Sequence, residues 1–446
     1  MTPYSALVYF ETLGCKLNFA ESSSLSQSIS EKGFKLVNLP ELANYCIINT
    51  CSVTENADSK CKKLIRDFKR VNPATKIIII GCYAQLKPEE IMAIDGVDLV
   101  LGAGDKFKLL DFLGQFENEN INYFQNKLFH EFTPIQEIVD FYPSHSVSER
   151  TRSFLKVQDG CDYSCSFCTI PLARGKSRNG TIHQITTQAK SLAALGVKEI
   201  VITGINLGDF GKSTNESFLD LIKALEEVNS ISRFRVSSIE PNLLSSEIIQ
   251  FMANSSRFMP HFHIPLQSGS DFILGLMKRR YKTSLYKEKI NLIHDLIPEA
   301  GIGVDVIVGF PGEGEGEFLE TYQFLKELDI SYLHVFPYSE RNNTFALSLP
   351  NKVSGTEKTK RVKLLHDLSL NKTISFTQKN LHKEYPVLLE KASNHDFMVG
   401  FTPNYIKLEV PYKAEWANQI ILIPIKTDNS ILKSYARQPV EYVPNS

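Results

Sequence analysis

Three cysteines in the middle of the chain have the spacing of a metal-binding loop. Cys161, Cys165 and Cys168 form a C-x3-C-x2-C pattern within the segment QDGCDYSCSFCTIPLARG. Three thiolates on a short loop can hold three irons of a four-iron cluster and leave the fourth iron without a protein ligand. Such an open metal position can bind and activate a small molecule. Structural zinc and chance spacing are the alternative interpretations.

A second set of cysteines lies in the first hundred residues. Cys15, Cys51 and Cys82 each follow a predicted strand, in the segments TLGCKLN, IINTCSVT and IIGCYAQ. Because the loops after parallel strands meet at one edge of a sheet, this placement predicts a second three-cysteine metal site. Cys46 and Cys61, at a strand start and in a helical pattern, are interpreted as buried thiols.

The elements that position the second set alternate between strands and helices. Residues 6–10, 45–49, 76–80 and 97–101 have strand patterns, and residues 18–32 and 55–71 between them have amphipathic helical patterns. This alternation predicts an α/β domain over residues 1–148 with a mainly parallel sheet and helices on both faces.

A second alternating series positions the central cysteines. Its six predicted strands are residues 154–158, 199–203, 233–237, 261–264, 303–308 and 332–336. Helical patterns such as 183–195, 218–228 and 283–297 separate them. Six strand–helix units predict a partial (βα)6 barrel over residues 149–350, with its chemistry on loops after the strands.

The composition changes near residue 350. Residues 352–391 contain nine Lys or Arg against four Asp or Glu, and the apolar spacing at their start is helical, which predicts a basic helical linker over 351–384. Short strand patterns at 387–390, 405–410 and 418–424 then predict a small β-barrel over residues 385–446.

The overall composition excludes several classes of protein. The 49 Lys and Arg residues balance 50 Asp and Glu residues, so the chain is not a globally basic nucleic-acid coat protein. Eight cysteines in 446 residues are too few for a disulfide scaffold. Without a membrane-length apolar run or a secretory signal, the chain is expected to be cytoplasmic, where thiols stay reduced.

With these motifs, the whole chain resembles the radical S-adenosylmethionine methylthiotransferases. That family has an N-terminal methylthiotransferase domain, a radical S-adenosylmethionine barrel and a C-terminal TRAM domain. The segments CDYSCSFCTIPLARGKSRNG and TGINLGDFG most resemble the branch that acts on threonylcarbamoyladenosine at position 37 of tRNA. The sister branches, which act on isopentenyladenosine in tRNA or on an aspartate of a ribosomal protein, are similar and remain alternatives.

The resemblance implies two [4Fe-4S] clusters and S-adenosyl-L-methionine as cofactors. Cys161, Cys165 and Cys168 would bind the catalytic cluster, whose open iron chelates S-adenosylmethionine before reductive cleavage to a 5′-deoxyadenosyl radical. Cys15, Cys51 and Cys82 would hold the cluster that delivers sulfur. One S-adenosylmethionine would methylate that sulfur and a second would supply the radical. The acceptor is an aromatic C–H at carbon 2 of adenine, which acid–base catalysis cannot activate at neutral pH.

The resemblance also implies contacts to S-adenosylmethionine from loops after the barrel strands. These residues are Phe167, Thr203, Gly204, Asn206, Ser238, Glu240 and Gln267. Ordinary turns are the alternative for the segments TGINLGDFG and SSIEP, and His263 is interpreted as a hydrogen-bonded core histidine. Asn343 stands where the family usually has glycine, and Asn tolerates the left-handed backbone that such a turn needs.

The implied partners are tRNA, an electron donor such as a flavodoxin or ferredoxin, and a sulfur source. Membrane association is not expected. The anticodon-loop adenine would have to be unstacked to be reached. Candidate RNA contacts are the basic runs at 60–70, 278–282 and 352–391, together with Tyr281, Phe401, Tyr405 and Lys407. A non-catalytic, zinc-dependent RNA-binding protein is the alternative of another class.

Overall fold

The structure, a computed structural model, describes residues 6–51, 55–118, 129–147, 151–390 and 396–435. The chain divides into two compact units. The first unit comprises residues 1–148, 153–231 and 339–349, and the second comprises residues 149–152, 232–338 and 350–446. The domain boundaries read from the sequence at 148, 350 and 384 stay predictions.

The first unit begins with a six-stranded, wholly parallel sheet in the order β2-β1-β3-β4-β5-β6. Its strands are β1 (Leu7–Thr12), β2 (Lys35–Leu36), β3 (Tyr45–Thr50), β4 (Lys76–Gly81), β5 (Val97–Leu101) and β6 (Phe129–Glu131). The helices of this region are α1 (Lys16–Glu31), α2 (Glu55–Val71), α3 (Cys82–Leu86), α4 (Pro88–Met92) and α5 (Leu109–Asn118).

Helices cover both faces of this sheet, as the sequence predicted. On one face Ile78 and Ile80 of β4 pack in a core with Ile29 of α1. On the other face Ile77 and Ile79 pack in a core with α2 side chains such as Ile65. A strand buried on both faces must be apolar at consecutive positions, which explains the run of four isoleucines in β4.

The rest of the first unit carries the start of the barrel. Its strands are β7 (Ser144–His145), β8 (Arg152–Lys156), β9 (Gln158–Asp159), β10 (Arg178–Asn179) and β11 (Glu199–Thr203). Its helices are α6 (Ile170–Arg174), α7 (Ile182–Ala194) and α8 (Phe218–Glu226). Thr181 and Gln184 form a reciprocal capping box that starts α7, so local sequence fixes where this helix begins.

The second unit carries the remaining strand–helix repeats. These are β12 (Arg233–Val236), α9 (Ser246–Asn254), β13 (His261–His263), α10 (Asp271–Leu276), α11 (Thr283–Leu296), β14 (Gly301–Val308), α12 (Glu315–Glu327), β15 (Tyr332–Pro337) and α13 (Gly355–Lys379). Strands β13, β14 and β15 pair side by side and in parallel. All six predicted barrel strands are therefore present, and the fold class is confirmed.

The second unit ends in a four-stranded antiparallel sheet of order β18-β17-β16-β19. Its elements are β16 (Glu384–Leu389), β17 (Phe397–Phe401), β18 (Lys407–Pro411), β19 (Ile420–Pro424) and α14 (Leu432–Tyr435). One face packs around Val387, Met398 and Leu408. This half-barrel confirms the small β-structure predicted here, although β17 was not predicted.

Helix α13 illustrates why none of the described helices can cross a bilayer. It is the longest of them at 25 residues, yet it carries Lys358, Arg361 and Lys372 along its length. The other helices of the described ranges are too short or too polar for a membrane span.

Candidate metal centre

Cys15, Cys51 and Cys82 follow the ends of three neighbouring strands of the parallel sheet. Strands β1, β3 and β4 end at the same level, because Thr12 pairs with Asn49 and Thr50 pairs with Gly81. The three cysteine-bearing loops therefore leave the sheet at one edge. This is the arrangement that the sequence predicted, and the assignment of the three thiols as metal ligands remains a prediction.

Two glycines allow these cysteine loops to approach one another. A Cβ atom at Gly14 would lie 2.4 Å from the Cβ and 2.9 Å from the Sγ of Cys51. A Cβ atom at Gly81 would lie 2.5 Å from the Asn49 Oδ1 atom. Both glycines also have φ angles near +100°, which L side chains rarely adopt. A side chain at either position would push the loops apart.

Two buried asparagines tie the loops together. The Asn18 Nδ2 group donates hydrogen bonds to the carbonyl oxygens of Leu13, at 2.8 Å, and Thr50, at 3.0 Å. The Asn49 Nδ2 group donates to the Asn18 carbonyl, at 3.1 Å. These bonds hold the loop that bears Cys15 against the end of the strand that precedes Cys51.

Cys161, Cys165 and Cys168 lie on the loop that follows β9, and all three are half-buried. The Cys161 amide donates to the Gly175 carbonyl at 3.0 Å, and the Cys168 amide donates to the Cys165 carbonyl at 3.2 Å. The loop is thus closed on itself by backbone hydrogen bonds. Its thiols remain accessible enough to receive a cofactor.

Arg174 follows the central cysteine loop and contacts a cysteine of the N-terminal set, and reasoning from sequence missed this role. It lies at the end of α6, six residues after Cys168, and is fully buried. Its Nε group donates to the Cys82 Sγ atom at 3.3 Å, and its Nη2 group donates to the Asn18 Oδ1 atom at 2.6 Å. The only signal in the sequence was an arginine in the segment PLARG beside the central cysteines.

A buried network of charged groups surrounds Arg174. Glu21 accepts from Lys106 at 2.6 Å, from Lys156 at 2.7 Å and from Arg174 at 3.1 Å. Asp159 forms ion pairs with Lys156, Arg174 and Arg178. Four cations thus face two carboxylates, and the surplus positive charge is suited to compensate thiolates next to it.

The pKa values of the network follow from burial and from these charges. Burial alone would raise the pKa of Glu21, but Arg174, Lys106 and Lys156 hold it below its ordinary value. Burial lowers the pKa of Lys106 to about 8, with Glu21 opposing that shift. Although Cys15 is an exposed residue, desolvation of its thiolate raises its pKa, and Arg174 opposes the rise. A bound metal would deprotonate this thiol.

The sulfur atoms of neither cysteine set lie close enough together to hold a single zinc ion without moving. Thiolates about 2.3 Å from a tetrahedral zinc ion lie about 3.8 Å apart. Neither cysteine set brings three sulfur atoms within 4.8 Å of one another in the described part of the chain. A four-iron cubane, whose ligands bind different irons, takes more widely spaced thiolates.

The loop after β11 carries three of the residues expected to contact S-adenosylmethionine. The Gln158 Oε1 atom accepts from the amides of Ile205, at 2.9 Å, and Asn206, at 2.8 Å. The Gln158 Nε2 group donates to the Gly160 carbonyl just before Cys161, at 2.8 Å. Gln158, which was not predicted, therefore fixes the loop of Thr203, Gly204 and Asn206 beside the central cysteine loop.

The side chain of Asn206 offers a free acceptor. Its Nδ2 group donates to the Asp209 Oδ2 atom at 2.9 Å. Its Oδ1 atom is buried and has no hydrogen-bond partner among the described residues. A buried acceptor without a partner is costly, and an incoming ammonium group would satisfy it. The observation fits the predicted contact to the methionine amino group. Phe167, the other predicted contact of this unit, is half-buried beside Cys168.

The second unit holds the other predicted cofactor contacts, each with a protein partner. The Ser238 Oγ atom lies 3.3 Å from the His263 Nδ1 atom. Glu240 forms an ion pair with Arg279. The backbone N–H of Gln267 donates to the backbone carbonyl of Asp305 at 2.8 Å. Their role toward S-adenosylmethionine remains a prediction.

Several expected RNA contacts are already engaged in the fold. Tyr281 is buried and donates its hydroxyl hydrogen bond to the carbonyls of Pro265 and Leu266, so the predicted stacking on a base is wrong. The Tyr405 ring stacks with the rings of His261, at 4.3 Å between centroids, and Phe401, at 4.8 Å, and its role toward RNA stays a prediction.

The turn at Asn343 has the conformation that the sequence predicted. Its φ angle is +63°, in the left-handed region that Asn tolerates. The nearby Arg341 side chain pairs with Asp58 at 3.1 Å, and the Ala346 amide donates to the Ser166 carbonyl at 2.7 Å. This segment of the first unit therefore packs directly on the central cysteine loop.

Comparison with known families agrees with this geometry. Residues 7–102 match the family model described as "Uncharacterized protein family UPF0004", which covers strands β1 to β5 of the parallel sheet together with Cys15, Cys51 and Cys82. Residues 155–325 match the model of the radical SAM superfamily, which covers the central cysteine loop.

Similar curated proteins cover nearly the whole chain. The chain is 37% identical to the threonylcarbamoyladenosine tRNA methylthiotransferase MtaB of Bacillus subtilis, over 94% of each chain. It is 38% identical to the protein of the same name from Aquifex aeolicus, over 90% of this chain and 96% of the other. A tRNA-2-methylthio-N(6)-dimethylallyladenosine synthase of Syntrophus aciditrophicus is 32% identical over 87% and 84% of the two chains.

Among solved structures, the radical S-adenosylmethionine methyltransferase TsrM from Kitasatospora setae is similar in fold. The form with tryptophan substrate and a S-adenosylmethionine analogue bound gives a TM-score of 0.57 at 14% identity, over 74% of this chain and 73% of that chain. At this identity the likeness concerns the fold alone.

Proposed function

The chain belongs to the radical S-adenosylmethionine methylthiotransferase family, and we propose that it methylthiolates carbon 2 of threonylcarbamoyladenosine in the anticodon loop of tRNA. One observation carries this proposal. Methylthiotransferases named for this substrate share 37% and 38% identity with the chain over at least nine-tenths of both partners. The geometry supports it, because one compact unit contains both three-cysteine sets.

The cofactors are [4Fe-4S] clusters and S-adenosylmethionine. When bound, they supply the radical that activates the adenine C–H bond and the sulfur that replaces its hydrogen. We assign Cys161, Cys165 and Cys168 to the catalytic cluster and Cys15, Cys51 and Cys82 to the sulfur-delivering cluster. This chain's own contribution is to hold two sets of three thiols, each set leaving one iron free.

Arg174 and Asn206 are the residues whose contacts best fit these assignments. Arg174 donates to Cys82 and brings buried positive charge to the second cysteine set. Asn206 presents an unsatisfied Oδ1 acceptor beside the loop of Cys161, Cys165 and Cys168, where the ammonium of S-adenosylmethionine would bind. Phe167, Thr203, Gly204, Ser238, Glu240 and Gln267 complete the proposed cofactor contacts.

The proposal extends to partners of the reaction. The radical chemistry consumes an electron, which a flavodoxin or ferredoxin would supply, and the sulfur-delivering cluster requires a sulfur source after each turnover. We place the protein in the cytoplasm, because its thiols must stay reduced and its tRNA substrate is found there.

Nucleoside analysis of tRNA separates this function from its alternatives. In a host whose own gene for this step is deleted, expression of the chain should restore the 2-methylthio derivative of threonylcarbamoyladenosine. Cys165→Ala should not restore it, whereas Cys46→Ala, a change at a buried thiol outside both sets, should. Restoration of the isopentenyladenosine derivative instead, or modification of a ribosomal aspartate, would contradict the substrate assignment.

A further inference from the structure

Two histidines and an aspartate converge on one face of strands β13, β14 and β15. His263 pairs in register with Gly303, and Asp305, two residues along the same strand, pairs with His334. Because side chains two residues apart on a strand share a face, all three side chains lie on the same side of the sheet. Three adjacent parallel strands thus bring together residues that are 71 positions apart along the chain.

The three side chains also meet at one point. The His263 Nε2 atom lies 2.7 Å from the Asp305 Oδ1 atom, and the His334 Nδ1 atom lies 3.1 Å from the same oxygen. One ligand atom from each residue lies within 4.8 Å of the other two, and no other group of three His, Cys, Asp or Glu residues in the described ranges does so.

We propose that His263, Asp305 and His334 form a binding site for a divalent transition metal such as zinc. Two imidazoles and one carboxylate with open positions are a ligand set that Zn²⁺ and Fe²⁺ take readily. The proposal goes beyond the methylthiotransferase activity, since the site uses none of the cluster cysteines.

The observed distances match what a metal would require. Ligands about 2.0–2.1 Å from a metal, at angles between octahedral and tetrahedral, lie about 2.8–3.4 Å apart. The two separations from the Asp305 oxygen, 2.7 and 3.1 Å, are within about 0.2 Å of this range. An ion can therefore enter with only small side-chain movements.

A further hydrogen bond supports the ligand geometry. The Ser238 Oγ atom lies 3.3 Å from His263 Nδ1, the ring nitrogen that points away from Asp305. Metal-binding histidines usually engage their second nitrogen in this way, which fixes the ring orientation. The rings of His263 and His334 are nearly perpendicular, at 86°, with centroids 5.2 Å apart.

The site is also accessible. The His334 side chain is 49% exposed, whereas the side chains of His263 and Asp305 are 13% and 19% exposed. His334, Tyr332 and Tyr405 line a cavity of about 460 Å³ within the second unit. The cavity gives an ion access to the His334 imidazole, and three protein ligands leave a coordination position for water or another oxygen donor.

Zinc binding to the full chain tests the proposal. We would reconstitute the iron–sulfur clusters anaerobically, equilibrate the protein with Zn²⁺, desalt it and count zinc and iron by mass spectrometry. We expect about one zinc per chain and zinc X-ray absorption with nitrogen or oxygen ligands at about 2.0–2.1 Å. Sulfur at about 2.3 Å would place zinc in a cysteine set and overturn the proposal.

Matched variants make the test specific. His334→Gln should weaken zinc binding more than about tenfold, with the iron content unchanged as the control for folding. His366→Gln, the same change at an exposed histidine of α13, should bind zinc like the wild type. Less than about one-tenth of a zinc in the wild type, or unchanged binding by His334→Gln, would leave the three residues as a hydrogen-bonded group and contradict the proposal. Cluster loading is read separately, so this failure is distinct from failure of the methylthiotransferase assignment.

Discussion

The Nε group of Arg174 donates a hydrogen bond to the Sγ atom of Cys82 across 3.3 Å. Arg174 follows the central C-x3-C-x2-C motif, and Cys82 follows strand β4 of the N-terminal sheet. One fully buried side chain thus joins the helix that follows the central cysteines to a cysteine of the N-terminal set. Since its remaining donors bind Asn18, Glu21 and Asp159, we expect it to position the loops rather than to react.

Removal of the Arg174 guanidinium should destabilise the first unit. Arg174→Met should lower the free energy of unfolding by about 3–5 kcal/mol, because Glu21 and Asp159 lose a shared buried partner. Arg174→Lys, which keeps the positive charge, should lower the free energy of unfolding by a smaller amount. Denaturation of the cluster-free protein measures both effects, and Arg66→Met on the exposed side of α2 is the control. A change below about 0.5 kcal/mol for Arg174→Met would contradict this account.

A side chain at Gly14 should separate the N-terminal cysteine loops. In Gly14→Ala the new Cβ atom would overlap Cys51, in a backbone conformation that alanine rarely adopts. We expect the variant to retain about four irons of about eight, because the central loop is untouched. Gly316→Ala, which adds a methyl group in open space near the start of α12, should keep all of them. Full iron content in Gly14→Ala would show that cluster binding does not require the close approach of the loops that bear Cys15 and Cys51.

Asn206 should contribute to the affinity for S-adenosylmethionine. Its unpaired Oδ1 atom is proposed to accept from the ammonium group, and hydrogen bonds to charged groups are worth about 1.5–3 kcal/mol. Asn206→Ala should therefore weaken binding to the cluster-loaded protein about 10- to 100-fold in equilibrium titration. Asn254→Ala at the end of α9 is the control. Equal affinity of the two variants for S-adenosylmethionine would show that Asn206 does not contact this cofactor.

The pair of Asp58 and Arg341 should anchor the turn that contains Asn343. Both side chains are buried and lie 3.1 Å apart. Asp58→Asn should cost about 3 kcal/mol in unfolding free energy, because it removes the negative charge that the buried Arg341 guanidinium contacts. In a double-mutant cycle with Arg341→Met, the coupling energy should be about 1–3 kcal/mol. A coupling energy near zero would indicate that the two side chains do not interact.

The sequence predicted those features that depend on local patterns. Alternating apolar runs gave the strands of both alternating series, and the strand ends correctly placed Cys15, Cys51 and Cys82 at one sheet edge. Strand β17 was missed because its segment FMVGF is short, contains Gly400 and shows no alternation of apolar and polar residues. The Arg174 network was missed because its partners, such as Asn18, lie 156 residues away. Tyr281 was misassigned because sequence spacing does not show that its ring is buried.

Iron counting after anaerobic reconstitution tests the central claim most directly, which is that six cysteines hold two independent clusters. The wild type should contain about eight irons per chain, and Cys82→Ala and Cys165→Ala should each contain about four, since each cubane holds four metals. Cys61→Ala, at a buried thiol outside both sets, should match the wild type. If Cys82→Ala or Cys165→Ala lost all of its iron, or lost none, the claim that two independent clusters are each held by three cysteines would be contradicted.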